Sequence, residues 1–448
     1  MLKNLFYITL FFFCQSVNAQ TIIQRNPEIA EMVNKVSADS LESYVVKLAS
    51  FNSRHTLSTD TKDGMPAAQQ YVLSKFKEFA KNSEGRMTAE IASFTIPADK
   101  RRITEDAPGA NVIASLKGTD SNDDRVFILS AHMDSRNKNV MDAENYSPGA
   151  NDDGSGTALV MELARIMSEG SFGATIHFVA FTGEEQGLKG ATYLANKAKE
   201  EEWNIEAVLN NDIVGNSSSS GTNIKDNLKM RVFSETIPLL ETEEMASFRR
   251  YTNADNDSKS RQLARYIKEN GERYVDQFEI KLIYRSDRFL RGGDQTAFAR
   301  NGFTAVRMSE MNENFLHQHE NVRVENGVQY GDLPEFMDFE YLRKVSAVNL
   351  ASLASLASAP GQPEEVGIKV SGLSNSSSLF WKAPSVGKVK GYYVLMRETS
   401  SPVWEKKFFT TEENIELPYS KDNYFFAVQA VGENGSESLA VFPSPIRR

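Results

Sequence analysis

The chain has 448 residues, a net charge of −10 and an apolar content of 40%, which is ordinary for a globular protein and sufficient for more than one domain. Acidic and basic residues are interspersed, without a basic block or a basic-aromatic stripe, so the composition excludes a nucleic-acid-binding surface. No apolar run reaches the roughly 20 residues that a membrane-spanning helix requires.

The N-terminal segment has the pattern of a signal peptide. Lys3 precedes a short apolar run at residues 5–13, and residues 17–19 read Val-Asn-Ala, which fits a small-x-small cleavage site. Cys14 is the only cysteine and would leave with this segment. We therefore expect removal of residues 1–19 and export of a disulfide-free chain to the periplasm or the extracellular space.

Residues 20–100 are predicted to form a helical lead-in, because apolar residues recur at three- and four-residue spacing over 38–51 and 65–80. Strand and helix patterns then alternate. The predicted strands are 111–116, 126–131, 174–181, 205–213, 278–284 and 303–308. The predicted helices are 154–167, 188–198, 258–270, 295–301 and 339–356. This alternation predicts an α/β fold with a mixed, mostly parallel sheet flanked by helices.

The alternation ends at residues 360–363, which read Pro-Gly-Gln-Pro. Short alternating strands with intervening turns follow, and Trp381 lies in an early one. This pattern is typical of a β-sandwich. We therefore predict two domains in the mature chain, residues 20–358 and residues 363–448.

A histidine and an aspartate end the second β-rich run. His132 can offer one ring nitrogen to a metal ion, and Asp134 lies two residues on, at the same side of an extended chain. Asp134 can accept the other ring N–H of His132 and so orient the ring. A strand-end histidine that is only hydrogen-bonded is the commoner arrangement, so this pair alone does not decide the chemistry.

A glycine-rich loop opens the helix predicted at 154–167. Residues 149–156 read Gly-Ala-Asn-Asp-Asp-Gly-Ser-Gly, and its glycines allow tight backbone turns. The carboxylate of Asp152 in this loop can bridge two cations with its two oxygens. Asp152 or Asp153 can equally cap the helix, so both interpretations stay open at this point.

Acidic residues and histidines follow the other predicted strands. Glu184 and Glu185 are adjacent at a strand end, where neighbouring side chains diverge, so one can bind a metal while the other faces a substrate. Asp212 ends the next apolar run, and His317 and His319 come after the last strand. All these residues lie at the carboxyl ends of strands, where open α/β sheets place their sites.

Taken in order, these motifs resemble peptidase family M28, the co-catalytic zinc peptidases of the aminopeptidase group. The resemblance covers residues 100–356, and five motifs in this order are far more specific than any one of them. It implies two zinc ions, with Glu184 as general base and with Asp134 as the partner of the histidine ligand. It also implies a cis peptide bond between Asp152 and Asp153. The ligands that it implies are His132 and Asp212 for one zinc, Glu185 and His317 for the other, and Asp152 between them.

Two features depart from the family pattern. The last ligand usually lies in His-Thr-x-x-Asp, and residues 317–321 match it with His317 as ligand and Asn321 at the acidic place. We predict His317, with His319 as the alternative. Arg288 stands in Ser286-Asp287-Arg288 where many relatives have histidine, so no role is carried over to Asp287 or Arg288.

The resemblance implies hydrolysis of N-terminal peptide bonds in substrates with a free amino terminus. Glu310 and Glu313, after the last strand, are candidates for binding that terminus by position alone, and plain surface charge is the favoured interpretation. Carboxypeptidase or dipeptidase activity on the same fold remains an alternative. So do glutaminyl cyclase, which uses a single zinc, and a non-catalytic binding protein.

The C-terminal domain resembles fibronectin type III domains. Tyr424 stands at the place of the tyrosine corner in residues 417–431. Such domains are usually spacers or binding modules, so a glycan or protein partner is the expectation for this part of the chain.

Overall fold

The computed structural model describes residues 25–447, and the predicted signal peptide lies outside them. An α/β body is followed by a smaller all-β part. The helices are α1 Pro27–Asn34, α2 Ala38–Ala49, α3 Met65–Ala80, α4 Gly154–Met167, α5 Lys189–Glu200, α6 Glu243–Thr252, α7 Lys259–Tyr274, α8 Gln295–Arg300 and α9 Phe339–Ser358. The strands of the body are β1 Met87–Ile96, β2 Ala107–Leu116, β3 Arg125–His132, β4 Thr175–Phe181, β5 Asn204–Asn211, β6 Lys229–Phe233, β7 Glu279–Ile283, β8 Ala305–Glu310, β9 Arg323–Glu325 and β10 Val328–Tyr330.

An eight-stranded sheet with the order β1-β2-β4-β3-β5-β8-β6-β7 forms the centre of the body. Its middle strands β4, β3, β5 and β8 run parallel, whereas β1, β2 and the contact of β6 with β8 are antiparallel. The middle strands are almost wholly buried, because helices cover both faces. The predicted mixed, mostly parallel sheet with flanking helices is confirmed.

Alternate residues of the middle strands enter two apolar clusters on opposite faces of the sheet. In β3, Phe127 and Leu129 join the larger cluster, which includes α2, α4, α7 and α9. Ile128 points the other way, into a smaller cluster with α5 and α8. Phe181 and Phe298 meet there with ring centroids 6.1 Å apart. The sheet is therefore held rigidly between two helical layers, which fixes the positions of its strand ends.

The predicted helical lead-in was wrong over residues 87–96, which form β1. This strand lies at the sheet edge and pairs antiparallel with β2 along its 10 residues. Only its end residues Met87 and Ile96 are buried, so the alternation that marks a half-buried strand is weak. The helix α6 was not predicted for a similar reason, since Ala246 is its only buried residue.

The all-β part packs a four-stranded sheet against a three-stranded one. Its strands are β11 Glu364–Lys369, β12 Ser377–Lys382, β13 Val389–Glu398, β14 Lys406–Thr410, β15 Asn414–Leu417, β16 Tyr424–Gly432 and β17 Ser444–Ile446. The strand orders are β15-β12-β11-β17 and β14-β13-β16. Trp381 and Tyr392 meet edge-on at 5.3 Å in the apolar core of this part.

Buried ion pairs join this sandwich to α7 and to the residues before it. Asp257 accepts hydrogen bonds from Arg265 at 2.9 Å and from Arg397 of β13 at 2.6 Å, and all three side chains are at most 2% exposed. Arg273 of α7 forms a bidentate pair with Glu437, at 2.9 and 3.0 Å. Such pairs require defined geometry, so the sandwich is fixed to the body and does not hang from a free linker.

Asp257→Ala tests this interface. The substitution leaves the guanidinium groups of Arg265 and Arg397 buried without their carboxylate. We therefore expect the free energy of unfolding to fall by about 3–5 kcal/mol. Urea titration measures the free energy of unfolding. The control is Glu78→Ala, which removes a half-exposed pair with Lys75 and should cost less than about 1 kcal/mol. Equal losses in the two variants would contradict the interpretation of the interface.

His177 on β4 is a structural histidine away from the strand ends. Its Nδ1 lies 2.8 Å from Ser115 Oγ, and its ring faces Trp203 at 5.3 Å. Burial lowers the pKa of His177 from 6.5 to about 4, so the folded chain holds the ring neutral. The unfolded chain takes up this proton first as the pH falls, so folding stability that is complete above pH 6.5 is lost towards pH 4.

His177→Gln should remove this part of the pH dependence while retaining a hydrogen bond to Ser115. We expect the melting temperature of the wild type to fall more steeply than that of the variant between pH 6.5 and pH 4. Thermal melts at several pH values provide the measurement, with both proteins compared as differences from their values at pH 7.5. Parallel curves would contradict the assignment.

Candidate metal centre

The candidate site lies at one edge of the sheet, where β3, β4 and β5 end side by side. β3 ends at His132, β4 is followed by Glu184 and Glu185, and β5 is followed by Asp212. Because these strands are parallel neighbours, their carboxyl ends bring the side chains together. The loop before α4 brings Asp152 to the same place.

Two groups of potential ligand atoms share Asp152. The first contains His132, Asp152 and Asp212, and the second contains Asp152, Glu185 and His319. Within each group all ligand atoms lie within 4.8 Å of one another. In the first group His132 Nε2 lies 3.2 Å from Asp152 Oδ1 and 3.8 Å from Asp212 Oδ1.

The second group uses the other oxygen of the shared carboxylate. His319 Nε2 lies 2.8 Å from Asp152 Oδ2 and 2.7 Å from Glu185 Oε1. One carboxylate thus faces a separate imidazole with each of its oxygens, and each imidazole has a second carboxylate beside it. Imidazole and carboxylate donors in this arrangement fit zinc, so the residues present suit two such ions.

The structure brings His319, and not His317, next to the carboxylate of Asp152. His317 is half-buried and stacks on Phe336, with ring centroids 3.9 Å apart, and it does not join either group. His319 has a left-handed backbone conformation with φ 57°, and its ring is the one that joins the second group. The backbone is an irregular turn here, so a motif match along the chain could not show which ring enters the site. Gln318 also contacts the shared carboxylate, donating to Asp152 Oδ2 at 2.9 Å.

Asp134 orients the turn that carries the glutamates. Its carboxylate accepts hydrogen bonds from the backbone N–H groups of Glu184 and Glu185, at 3.2 and 3.1 Å, and from Thr56 Oγ1 at 3.0 Å. The predicted contact with His132 is made chiefly by the backbone, since Nδ1 lies 3.0 Å from the carbonyl oxygen of Asp134 and 3.6 Å from its carboxylate. Asp134 is therefore a positioning residue.

Asp153 joins the strand ends to the helix. The peptide bond between Asp152 and Asp153 is cis, as the family resemblance implied. Asp153 caps α4 by accepting from Gly156 N at 3.0 Å, and it also accepts from Ile213 N at 3.1 Å and from His132 N at 3.2 Å. The helix-capping role considered for either aspartate thus belongs to Asp153, which leaves the side chain of Asp152 for the shared position.

Asp332 and Glu310 hold the same loop from the other side. Asp332 accepts from the backbone N–H groups of Asn151 and Asp152, at distances of 2.7–3.0 Å. Glu310 is fully buried and accepts from Asn151 Nδ2 at 3.0 Å and from Asn216 N at 2.8 Å. The interpretation of Glu310 as surface charge was wrong, because β8 carries it into the interior.

Two arginines contact Asp212 and Glu185, the carboxylates that belong to one group each. Arg307 is fully buried and lies 2.8 Å from Asp212 Oδ1, while Arg136 Nε lies 2.8 Å from Glu185 Oε2. Burial by itself raises the pKa of Asp212, but Arg307 and His132 overcome it and bring the pKa to about 2. Neither arginine was predicted, although Arg136 directly follows the His132 motif in the chain.

Arg288, which departs from the family pattern, lies in an ion-pair network with Asp287 and Glu313, at 3.2 Å from each. Arg307 contacts the same Asp287 at 3.3 Å. Glu313 also pairs with Arg231 at 2.8 Å. Asp287 thus gives Arg307 a second carboxylate partner, and the arginines around Glu313 neutralise its charge.

Two further carboxyl groups carry raised pKa values. Burial raises the pKa of Glu184 well above its usual range, and the charges of Glu185 and Asp212 add to the effect while His132 opposes it. Burial also raises the pKa of Asp294 to about 8. Both carboxylate oxygens of Asp294 lack a hydrogen-bond partner among the described residues.

Comparison with known proteins identifies the family. The model of peptidase family M28 matches residues 111–326. A probable zinc metalloprotease of Leptosphaeria maculans is 42% identical over 421 residues, which cover 93% of this chain and 97% of that protein. One of Pyrenophora tritici-repentis is 41% identical, with coverage of 93% and 87%. The chain belongs to peptidase family M28.

Solved structures show the same fold. The LapA aminopeptidase of Legionella pneumophila superposes with a TM-score of 0.54 at 18% identity, covering 77% of this chain and 78% of that one. An aminopeptidase of Aneurinibacillus sp. strain AM-1 gives a TM-score of 0.50 at 14% identity, covering 72% and 95%. At such identities the likeness concerns the fold alone.

His319→Ala and His317→Ala test the assignment of the last ligand. Loss of the imidazole that faces Asp152 and Glu185 should lower the zinc retained after dialysis by roughly one equivalent per chain. His317→Ala is the matched control, since it removes a ring two residues away that stacks on Phe336, and it should retain the wild-type content. Elemental analysis measures both. Loss of zinc from the His317 variant with retention in the His319 variant would reverse the assignment.

Proposed function

We propose that the chain is a zinc-dependent aminopeptidase whose site holds two zinc ions. The observation that supports this proposal is the division of the Asp152 carboxylate, with one oxygen towards His132 and the other towards His319. His132, Asp152 and Asp212 would hold one ion, and Asp152, Glu185 and His319 the other. The names of the curated relatives agree with the metal, and the names of the solved neighbours agree with the reaction.

When bound, a pair of zinc ions supplies Lewis acidity towards the scissile carbonyl and a water that is nucleophilic near neutral pH. Glu184 takes a proton from that water and delivers it to the leaving amine. Its carboxylate has no hydrogen-bond partner among the described residues, and Asp134 holds its backbone N–H, so the turn is fixed while the side chain is free to move a proton.

The remaining residues of the centre keep this geometry. Asp153 ties together the ends of β3 and β5 and the start of α4, and Asp332 holds the backbone of the shared ligand. Arg307 keeps Asp212 ionised, which is the form that binds a metal. The centre is thus organised before substrate arrives, which is what efficient catalysis requires.

Substrates in this proposal are peptides with a free amino terminus. We also propose export of the chain, on the strength of the pattern at residues 1–19, and a glycan or protein partner for the fibronectin type III-like sandwich. In the described part of the chain, no helix combines the length and apolarity needed to cross a bilayer.

Glu184→Gln tests the general base. The amide is similar in size but cannot accept the proton, so we expect kcat to fall by about 10²–10⁴-fold. Zinc content should stay at the wild-type value, because the residue is not among the proposed ligands. Glu244→Gln on α6, at the surface, is the control for a charge change and should leave both unchanged. A fully active Glu184 variant would remove this residue from the mechanism.

A panel of peptides tests the substrate class. We expect release of the first residue from aminoacyl chromogenic substrates and from free peptides, and no release after N-acetylation or after treatment with a chelator. C-terminal amidation should not matter. Release from the carboxyl end would favour the carboxypeptidase alternative. Cyclisation of N-terminal glutamine with one zinc per chain would favour the cyclase, and zinc binding without any turnover would favour the binding protein.

A further inference from the structure

The two histidines of the centre have opposite kinds of partner at their second ring nitrogen. His132 Nδ1 lies 3.0 Å from the carbonyl oxygen of Asp134, which can only accept a hydrogen bond. A ring that binds a metal through Nε2 carries its proton on Nδ1, so a metal-bound His132 would keep this hydrogen bond. This is the usual arrangement for a metal-binding histidine, whose other N–H is donated to a carbonyl or carboxylate.

His319 has the reverse arrangement. Its Nδ1 lies 2.6 Å from Arg136 Nη2, and a guanidinium has donors but no acceptor. Its Nε2 lies 2.7 Å from Glu185 Oε1 and 2.8 Å from Asp152 Oδ2, both of which accept. At Nε2 the two rings are alike, since Nε2 of His132 also faces two carboxylates, so the difference between them lies at Nδ1.

The same arginine also engages the other ligand of this position. Arg136 Nε lies 2.8 Å from Glu185 Oε2, and the Arg136 side chain is only 17% exposed, so solvent screens its charge weakly. Arg307 makes a comparable contact with Asp212 in the first group. Glu185 and Asp212 therefore each contact one guanidinium. The difference between the two groups lies in the partner of the histidine Nδ1 atom.

We propose that Arg136 makes the Glu185–His319 position the weaker of the two zinc positions, so that zinc loads the His132–Asp212 position first. This inference rests on the proposed two-zinc function. A His319 ring bound through Nε2 would carry its proton on Nδ1, and the Arg136 guanidinium, which has only N–H donors, could not accept a hydrogen bond from it. Arg136 must then move away from Nδ1. The free-energy cost of this movement weakens zinc binding at the Glu185–His319 position only.

Substitutions at Arg136 separate its charge from its hydrogen bond. Arg136→Gln removes the charge and supplies an amide oxygen that can accept from Nδ1–H. Arg136→Lys keeps the charge and, like arginine, only donates. Arg136→Met removes both charge and hydrogen bond. Arg102→Gln is the matched control, because the Arg102 guanidinium donates to the carbonyl oxygen of Glu185 and does not contact His319.

The measurement is a titration of the metal-free full chain with Zn²⁺ in competition with a chromophoric chelator. The wild type should show two steps of different affinity. Arg136→Gln should raise the affinity of the weaker step by about tenfold or more, within the range that such outer partners of metal ligands produce. Arg136→Met should raise the affinity of the weaker step less. Arg136→Lys and Arg102→Gln should keep the wild-type difference in affinity between the two steps. Thermal melts of the metal-free proteins verify that each variant folds.

The outcomes distinguish the two proposals. Two zinc steps in the wild type with no change in Arg136→Gln would overturn the role of Arg136 and leave the two-zinc function intact. A weaker second step in Arg136→Gln would also overturn it, because Arg136 would then support the position. A wild type that binds fewer than two zinc ions would overturn the proposed function itself.

Discussion

The division of the Asp152 carboxylate between two imidazoles depends on a backbone that is held by two carboxyl groups, those of Asp153 and Asp332. Asp153 fastens the loop to β3, β5 and α4, and Asp332 holds the N–H groups of residues 151 and 152. Both supports are buried carboxyl groups that accept hydrogen bonds from backbone N–H groups of the loop or of the neighbouring elements. Because the loop cannot rotate, the two oxygens of one side chain stay directed at different partners.

Buried carboxyl groups outnumber the arginines around this loop. The buried carboxyl groups within reach of one another include Asp134, Asp152, Glu185 and Asp212, whereas Arg136 and Arg307 supply the nearby cations. Burial raises the pKa values of Glu184 and Asp294, and the neighbouring carboxylates add to the effect. Divalent cations relieve it, so the electrostatics of the site agree with the proposed pair of zinc ions.

The sandwich stabilises the α/β body through its contacts with α7 and the residues before it, and not through the candidate metal centre. Its buried pairs with Asp257 and Arg273 fasten the helix that lies on the larger cluster of the sheet. A change at this interface should therefore act on stability, while changes among the strand ends act on metal and chemistry. The two kinds of effect are separable because Asp257, Arg273 and their partners are not among the residues of the site.

Local sequence patterns were sufficient to predict the α/β class and to place His132, Glu185 and Asp212 at strand ends, because period-2 and period-3.6 patterns are local and parallel strands collect their carboxyl ends at one edge. Asp152 was named as the shared ligand only through the family resemblance. Only the tertiary structure decided between His317 and His319, since the direction of a side chain in an irregular turn depends on contacts with distant elements. The same holds for Glu310, whose burial comes from β8 pairing inside the sheet, and for the partners of each ring nitrogen, which no spacing along the chain encodes.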